Sequence, residues 1–521
     1  MTLITCSVHC CESAAFADHK EINAGCDIML DFDYKTEPYK HQDEVFKLSR
    51  DETDFAFLMG MGTGKSKVGC DTAAWLWARG KIKLLVVIAP NGVHRNWISR
   101  EVPAHVPAWT RYRSAVWAST MKAGEKKLVA KIFDEGPGLR IVAMNIEAFG
   151  SGMTGKAGKF LAQLLNTFPS MICVDESSKI KTPGAKRTKT LTTLGKRAAF
   201  RRIMTGTLIT NGPLDAFAQM GFLGSQHLGF DNFYTYKHYF AEWERKKSKN
   251  RDKNGRVIEY EDLVCYKNLG ELTAKINAVS FRVTKDECLD LPNKVFERRI
   301  IRLSPEQSRL YSDIKNKSMY ELEHGEKLAV SNILTKMLRL QQVIGGFIPA
   351  GEFEAAGPVP GTNSRLQVLS DTVEEALPDG KIIVWARFRA ELDAISTLLR
   401  DQYGRRSVVE YHGGVDRHDR EENVDRFQND MKCNFFVGQQ HSGGYGLTLT
   451  QAKTVIYYSN DFSLEARLQS EDRAHRIGQT DKVTYVDLEA ENTVDTKIIA
   501  ALRSKKNISD IILKDDPTSW L

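Results

Sequence analysis

The sequence predicts an α/β protein with two parallel-sheet lobes in tandem and a mostly helical insertion between them. The first observation is a repeated order of short apolar run, turn and helix-like stretch, which is typical of βαβ units. The second is that these apolar runs are continuous rather than alternating, as expected for strands buried on both faces of a parallel sheet. The third is the length of 521 residues, which favours more than one domain.

The apolar runs divide between a first lobe, expected within residues 31–290, and a second lobe within 291–521. The first set is FAFLM at 55–59, LLVVIA at 84–89, IVAM at 141–144, MICV at 171–174 and RIM at 202–204. The second set is KIIVW at 381–385, VVEY at 408–411, NFFV at 434–437, VIYY at 455–458 and VTYVDL at 483–488. The rhythm lapses from about residue 212 to 345, where an aromatic and charged region is interpreted as mostly helical.

Three segments are expected to be extensions or loops. Residues 1–30 show no clear helical or strand period and are interpreted as a poorly ordered N-terminal extension. Its cysteines at 6, 10, 11 and 26 could ligate zinc, but their spacing matches no standard zinc motif. The basic segment RKKSKNRDKNGR at 245–256 predicts a solvated loop, and the Gly- and Pro-rich segment at 354–365 predicts a flexible connection.

The composition restricts location and partners. With 42% hydrophobic and 27% charged residues the chain is globular, and no run approaches the roughly 18 apolar residues of a membrane-spanning helix. The formal net charge of +7 permits a polyanion as partner without requiring one. Nine cysteines without regular spacing, and a start without a secretory leader, favour the cytoplasm, or the nucleus if the source is eukaryotic.

The first chemical motif is GMGTGKS, Gly60–Ser66, between the strand FAFLM and a helix-like stretch. Its three glycines allow backbone N–H groups to turn toward phosphate oxygens, and a helix start adds its positive dipole end. Lys65 can reach the terminal phosphates of a nucleotide, and Ser66 can hold Mg²⁺. An ordinary turn is the alternative, but the order of strand, glycines, Lys-Ser and helix favours nucleotide binding.

The second motif is DESS, Asp175–Ser178, directly after the strand MICV. Ligand-contacting residues of parallel sheets gather at the carboxyl ends of the strands, so this motif should face the loop that carries Lys65. Asp175 could complete the Mg²⁺ shell, and Glu176 could orient or deprotonate the attacking water. Adjacent acids often mark a simple helix start, but together with the glycine loop they favour the functional interpretation.

The third motif is SLEARLQSEDRAHRIGQ, Ser463–Gln479, in the second lobe. On a helix Gln469, Arg473 and Arg476 fall at positions 0, 4 and 7 and project from one face, and Gly478 can end the helix. A solvated charged face is the ordinary alternative. Two arginines aimed across a cleft at a γ-phosphate would instead neutralise charge in the transition state.

The order of these motifs resembles that of the superfamily 2 helicase-like motors, and specifically of the SWI/SNF-type translocases on double-stranded DNA. The resemblance extends from about residue 34 to 513, and the ending RAHRIGQ separates this family from ordinary helicases. The other matching segments are YKHQ at 39–42, GMGTGKS, VVIAPNGVHRNW at 86–97, DESSKIK at 175–181, MTGTLITN at 204–211, LPNK at 291–294, LSPEQSRLY at 303–311, HGGVDRHDREENVDRF at 412–427 and SGGYGLTLTQA at 442–452.

The resemblance implies two RecA-like lobes that close on Mg·ATP, with duplex DNA, linear or branched, held across both lobes. The implied nucleotide contacts are Gln42, as the reader of adenine, and Gly60, Gly62, Thr63, Gly64, Lys65, Ser66 and Gly446. The implied metal ligands are Ser66 and Asp175, and the implied catalytic residues are Lys65, Glu176, Arg473 and Arg476. Residues implied in coupling are Ser178, Thr205, Gly206, Thr207 and Gln469. The candidate DNA contacts are Pro90, Asn91, Gly413, Ser442 and Gly443, whereas Trp97 is expected in the core.

The sequence departs from the family pattern at four places. Ser177-Ser178 replaces the Ala-His of the DEAH box, and Thr448 stands where Asn is usual. Gln439-Gln440-His441 replaces the Ser-Thr-Arg that usually precedes SGG, and the resemblance implies that a phosphate contact there is changed. Asp461-Phe462-Ser463 replaces an expected aromatic residue and proline. The nucleotide-binding parts are complete, which predicts a divergent bacterial or phage-like member.

The expected activity is ATP hydrolysis coupled to movement along double-stranded DNA, which would remodel DNA or protein–DNA complexes. A true DNA helicase or branch-remodelling enzyme is one alternative. An ATP-gated DNA-binding clamp with little turnover is an alternative of another class. The complete set of lysine, acidic residues and arginines argues against the clamp, because a protein without turnover has no need of all of them.

Overall fold

The strands of the computed structural model form two parallel sheets that follow one another along the chain. The structure describes residues 32–504 except 92, 211, 252–256, 289–290, 325–329, 351–354, 442–446 and 477. The extension predicted for residues 1–30 lies outside this part. The strands are β1 (Asp54–Met59), β2 (Leu84–Ala89), β3 (Tyr112–Trp117), β4 (Leu139–Asn145), β5 (Ser170–Asp175), β6 (Phe200–Met204), β7 (Ala241–Arg251), β8 (Val257–Tyr266), β9 (Ser280–Val283), β10 (Lys294–Ile301), β11 (Phe347–Pro349), β12 (Ala355–Pro358), β13 (Lys381–Trp385), β14 (Val408–Tyr411), β15 (Phe435–Gly438), β16 (Ala452–Tyr457) and β17 (Val483–Ala490).

The first sheet has the strand order β3-β4-β2-β5-β6-β1-β9, and all of its neighbours are parallel. Strand β6 lies between β1 and β5, and the register places Met204 beside both Phe57 and Asp175. Because parallel strands end at the same edge of a sheet, the segments that follow these three strands meet at one place.

The second sheet has the order β10-β17-β16-β13-β15-β14, also parallel throughout. Strands β16, β13 and β15 are neighbours, so the segments after Tyr457, Trp385 and Gly438 meet at its carboxyl edge. The prediction of two parallel α/β lobes in tandem is therefore confirmed.

Helices cover the faces of both sheets. In the first lobe, strand residues such as Val86 and Ile172 share a buried cluster with Leu161 and Leu191 of the covering helices. No helix of the described residues is long and apolar enough to cross a membrane. The helices are α1 (Lys40–Ser49), α2 (Lys65–Ala78), α3 (Val93–Asn96), α4 (Val102–His105), α5 (Ala123–Ala130), α6 (Lys156–Thr167), α7 (Lys186–Gly195), α8 (Ala216–Leu223), α9 (Ser225–Leu228), α10 (Phe233–Phe240), α11 (Leu269–Asn277), α12 (Lys285–Cys288), α13 (Pro305–His324), α14 (Val330–Ile344), α15 (Ser364–Ala376), α16 (Arg389–Tyr403), α17 (Arg417–Asn429), α18 (Leu464–Ala474) and α19 (Val494–Arg503).

Three strands at the margins of the sheets were not predicted. Strands β3, β9 and β10 each form an edge of a sheet. An edge strand packs against one neighbour only, and β10 accordingly has the sequence KVFERRII with most side chains exposed. These three strands contain polar and charged residues and are not continuous apolar runs.

The insertion after about residue 212 contains helices α8 to α11 but also an antiparallel ribbon of β7 and β8. The loop predicted for 245–256 is therefore wrong over 245–251, which belong to β7. Opposite charges face each other across the ribbon: Lys246 Nζ lies 2.6 Å from Asp262 Oδ2 on the partner strand. Similarly, the predicted connection at 354–365 includes strand β12, which pairs with β11.

Candidate active site at the junction of the two lobes

The glycine loop at Gly60–Ser66 links β1 to α2, as predicted. Gly62 and Gly64 have φ angles of 74° and 89°, which glycine adopts without strain. Gly64 immediately precedes the first turn of α2, whose N–H groups have no partner within the helix. Lys65 Nζ donates to the carbonyl oxygens of Met59 at 2.9 Å and Gly60 at 3.0 Å, which holds the ammonium group over the loop. A helix start beside a held ammonium group is a site for an anion.

Helix α1 holds this loop from outside. Gln42 Nε2 donates to Thr63 O at 2.9 Å, and a ring nitrogen of His41 lies 2.8 Å from the same oxygen. Gln42 Oε1 accepts from Tyr39 N at 3.1 Å, so both ends of the amide are engaged. Gln42 also fills the space that a Cβ at Gly64 would need. The structure thus places Gln42 on the glycine loop, and its contact with adenine stays a prediction.

Asp175 ends β5 and Glu176 follows it. Trp97 Nε1 donates to Asp175 Oδ2 at 2.9 Å, and Glu176 N donates to Asp175 Oδ1 at 3.0 Å. Glu176 has φ 51° and ψ 57°, a left-handed conformation that is uncommon for a residue with a side chain and that often marks functional sites. Burial raises the pKa of both carboxyl groups, and the charge of Lys65 partly offsets this effect. The pair offers oxygen ligands for a hard cation and an acceptor for a proton of water.

The turn Thr205–Thr207 after β6 lies against both motifs. Thr207 N donates to Thr205 Oγ1 at 3.1 Å, which closes the turn. A Cβ at Gly206 would lie 3.5 Å from Met61 of the glycine loop. A small cavity at this junction is lined by Met61, Glu176, Ser178, Thr205, Thr207, Thr210, Leu464, Glu465 and Leu468. The residues predicted to couple nucleotide to DNA therefore lie where the first lobe meets α18.

Two arginines of the second lobe reach this junction. Arg473 Nη1 and Arg476 Nη1 donate to Leu447 O at 3.2 Å and 3.0 Å. Burial, and then the charge of Arg476, lowers the pKa of Arg473 to about 10. Burial likewise lowers the pKa of Arg476. Two guanidinium groups side by side, one buried (Arg473) and one partly buried (Arg476), favour an anion between them, such as a phosphate.

Helix α18 is shorter than predicted. It ends at Ala474, so Arg476 lies in the bend after the helix and not on the helical face expected for Gln469, Arg473 and Arg476. Gln479 Nε2 donates to Ala474 O at 3.2 Å, which satisfies a carbonyl group at the end of the helix and stabilises the early stop. Both arginines nevertheless face the same cavity.

This cavity has a volume of about 140 Å³ and takes its walls from both lobes. The hydroxyl group of Ser66 and the carboxylate of Asp175 both face it, and such oxygen donors suit Mg²⁺. Its lining residues are Met61, Gly62, Lys65, Ser66, Val93, Asn96, Trp97, Arg100, Glu101, Asp175, Glu176, Thr448, Asp472, Arg473 and Arg476. The residues of the three motifs, which are distant in sequence, are therefore brought together around a space suited to a metal-bound polyphosphate.

Two ion pairs join α18 to the first lobe. Lys285 Nζ lies 2.5 Å from Asp472 Oδ1, and the backbone of Lys285 packs beside the glycine loop. Lys179 Nζ lies 3.5 Å from Glu465 Oε1, which also accepts from Gln469 Nε2 at 3.1 Å. Gln469 therefore reaches the segment after β5 through Glu465 rather than directly.

Glu101 is a cavity residue that sequence reasoning missed. It ends the π-helical turn Trp97–Glu101, accepts a hydrogen bond from Ser66 and faces Arg476. Burial raises the pKa of Glu101, and the charge of Arg476 lowers it. The only sequence signal is an acid one helical turn after the tryptophan. Trp97 is fully buried, as expected, but its indole N–H also holds Asp175.

The candidate DNA contacts that the structure describes lie after strands and do not line the cavity. Pro90 and Asn91 follow β2, and Asn91 N donates to Glu147 Oε2 at 3.1 Å. Gly413 follows β14 and is exposed. Ser442 and Gly443, with the nucleotide candidate Gly446, lie outside the described residues.

Two protein-family models match the chain. The model of the SNF2-related domain matches residues 4–345. The model of the helicase conserved C-terminal domain matches residues 364–478. The boundary between the matches falls before α15, between the first sheet and most of the second.

Several proteins are similar to this chain. An uncharacterized ATP-dependent helicase of Mycoplasma pneumoniae is 23% identical over 349 residues, which are 66% of this chain and 31% of that protein. The putative ATP-dependent helicase/translocase YwqA of Bacillus subtilis is 25% identical and covers 67% of this chain and 36% of that protein. The chain thus spans about a third of the length of each of these two relatives. A solved SWI2/SNF2 ATPase core of Sulfolobus solfataricus in complex with dsDNA covers 95% of this chain and 96% of that chain, with 22% identity and a TM-score of 0.40.

Proposed function

Because the chain belongs to the SNF2-related family, we propose that it is a DNA-dependent ATPase that translocates along double-stranded DNA. The observation that carries this proposal is the shared cavity, where Lys65 and Ser66, the acidic pair Asp175-Glu176, and the arginines 473 and 476 all face one space. The names of its relatives, helicases and a helicase/translocase, support a motor that acts on nucleic acid.

The geometry gives each side chain a role in hydrolysis. Lys65 would leave its loop carbonyls to bind the terminal phosphates, and Glu176 would hold the attacking water. Ser66 and Asp175 would hold Mg²⁺, which would neutralise phosphate charge. Arg473 and Arg476 would stabilise the charge that develops in the transition state. Since the arginines come from the other lobe, hydrolysis would require the lobes to meet, which couples it to movement between them.

Contacts with the duplex would be made with its backbone. A protein that moves along DNA gains little from reading bases, whereas phosphate contacts repeat at every step. Pro90, Asn91, Gly413, Ser442 and Gly443 stay candidates for these contacts, on linear or branched duplex. We place the activity in a bacterial or phage-infected cytoplasm, or in the nucleus if the source is eukaryotic.

A true DNA helicase is the second candidate, and the names of the relatives favour it. The two differ in product, because a translocase leaves the duplex paired. A clamp with little turnover is the outcome that would remain if neither activity were found.

The test is ATP hydrolysis by the purified protein without nucleic acid, with single-stranded DNA and with linear duplex. The control for contaminating ATPases is Lys65→Ala, whose side chain is part of the cavity. Strong stimulation by duplex alone is expected. Stimulation by single strands alone would favour the helicase, and equal rates under all conditions would contradict a DNA-dependent enzyme.

A further inference from the structure

Three neighbouring strands of the second sheet end in a small charged cluster, which we call the strand-end cluster. It consists of Arg387 after β13, Gln439–His441 after β15 and Asp461 after β16. The carboxyl edge of a parallel sheet is where such folds bind their ligands. The cluster includes two of the places where the sequence departs from its family, and the structure shows that these two places contact each other.

The contacts within the cluster are specific. His441 Nε2 lies 3.0 Å from Asp461 Oδ2, and Asp461 N donates to Gln440 Oε1 at 2.9 Å. Gln439 Nε2 donates to Arg387 O at 2.9 Å. The guanidinium of Arg387 also approaches the carboxylate, with Nη2 3.8 Å from Asp461 Oδ2. These contacts join the ends of the three strands, and Asp461 is the common partner of His441 and Arg387.

The cluster presents its histidine to solvent. The side chain of His441 is 66% exposed, whereas those of Asp461 and Arg387 are 12% and 10% exposed. Burial alone would raise the pKa of Asp461, but the hydrogen bond with His441 and the charge of Arg387 lower it to about 2, so the carboxylate stays ionised. An ionised carboxylate next to an imidazole ring favours the protonated form of the ring. The exposed side of His441 then carries a positive charge.

The surroundings of His441 add positive charge. Arg387 lies behind it on the second lobe, and Lys179, after β5 of the first lobe, is close enough to act on its charge. The hydrogen bond with Asp461 raises the pKa of His441, and these two cations oppose that rise. Among the described residues, Asp461, Arg387 and Lys179 act on the charge of the ring, and Lys179 is itself paired with Glu465 at 3.5 Å. His441 and Arg387 share the single carboxylate of Asp461, so an anion at the exposed side of the protonated ring would balance the second of these two cations.

We propose that His441, held by Asp461, binds a backbone phosphate of duplex DNA in its protonated form, so that DNA binding takes up a proton at this residue. The inference rests on the proposed function, because it assumes that DNA is the ligand of this face. A phosphate group fits because it is an anion that accepts hydrogen bonds and repeats along the duplex.

The sign of the pH effect follows from this pairing. The contact between protonated His441 and a DNA phosphate contributes its full binding energy at a pH below the pKa of His441 in the free protein. It is lost as the pH rises through the pKa of His441 in the complex, because the neutral ring carries no charge. A difference of one pKa unit between free and bound protein corresponds to about a tenfold change in affinity.

The experiment is the dissociation constant of a linear duplex, measured by fluorescence anisotropy at fixed salt between about pH 6 and about pH 8.5, on either side of the ordinary histidine pKa. The wild-type protein is compared with His441→Gln, which cannot carry the charge, and with His441→Arg, which cannot lose it. We expect wild-type affinity to fall by about tenfold more than that of either variant across this range. His441→Arg should bind as tightly at high pH as wild type does at low pH.

The salt dependence gives a second readout that a merely structural role would not move. At low pH, log K against log salt should be steeper for wild type than for His441→Gln by about 0.9, the value for one phosphate contact, with no difference at high pH. The inference is overturned if His441→Gln keeps the pH dependence of the wild type. If the wild type binds no duplex at any pH, the proposed function fails instead. Since His441 is largely exposed, both variants should fold, which circular dichroism and DNA-free binding of a fluorescent nucleotide would confirm.

Discussion

Replacement of Arg476 by alanine should separate hydrolysis from ATP binding. The guanidinium donates to Leu447 O at 3.0 Å and lines the cavity from the second lobe, whereas the glycine loop that would cradle the phosphates belongs to the first. We therefore expect ATP to bind to Arg476→Ala almost as well as to the wild type. Hydrolysis should collapse, because the lost charge acts where negative charge develops in the transition state.

The burial of Arg476 sets the size of this effect. Arg476 is partly buried, and this burial lowers the pKa of its guanidinium group, so the charge has lost part of its contact with water. A unit charge that comes within about 4 Å of a phosphate oxygen only in the transition state, at an effective dielectric constant of about 20, contributes about 4 kcal/mol. This energy corresponds to a loss of about a thousandfold in kcat. In bulk water the same contact would contribute only about 1 kcal/mol, or about fivefold.

The assay is steady-state phosphate release at saturating duplex DNA, with ATP affinity measured separately by a fluorescent nucleotide. Arg302→Ala is the matched control, because Arg302 is 87% exposed and pairs with Glu491 on the surface at 2.9 Å. The control should retain the wild-type rate, since exposed ion pairs contribute about 0–1 kcal/mol. An Arg476→Ala rate within about threefold of wild type, or a loss confined to KM, would refute the role given to this arginine.

Three further predictions concern other parts of the junction and the second lobe. Lys65→Ala should abolish both nucleotide binding and turnover, and turnover that persisted would show that the phosphate site is elsewhere. Glu101→Gln should lower kcat by about tenfold, or about 1.4 kcal/mol, because Ser66 and the nearby arginine lose their anionic partner; an unchanged kcat in the same phosphate-release assay would remove Glu101 from the site. Asp487→Asn should destabilise the second lobe by about 3–5 kcal/mol, because Arg467 would lose the buried carboxylate that lies 2.5 Å from it. Urea unfolding followed by circular dichroism measures this loss, and an unchanged midpoint would contradict it.

The sequence predicts the buried strands and the main cavity because both depend on local patterns. The runs at 84–89 and 381–385 coincide with β2 and β13, since strands buried on both faces must be apolar throughout. The glycine loop and the acidic pair are each short sequence motifs that directly follow a buried strand, so each can be recognised from a few consecutive residues. Their meeting at one edge follows from the parallel arrangement of the strands.

What the sequence could not predict depends on contacts between distant segments. Glu101 enters the cavity only because the turn after Trp97 packs against the acidic pair. The early end of α18 depends on capping by Gln479, and the helical periodicity of the sequence does not predict where the helix ends. Likewise, His441 and Asp461 are separate departures in the sequence and become one feature only when β15 and β16 flank β13.

Movement along an intact duplex is the central claim, and displacement of a third strand from a linear triplex measures it most directly. The wild-type protein should release the third strand in an ATP-dependent way while the duplex stays paired. Glu176→Gln should not release it, because the side chain that would hold the attacking water is then neutral. Hydrolysis of ATP by the wild type with the third strand still in place, or separation of the duplex strands, would contradict translocation on double-stranded DNA.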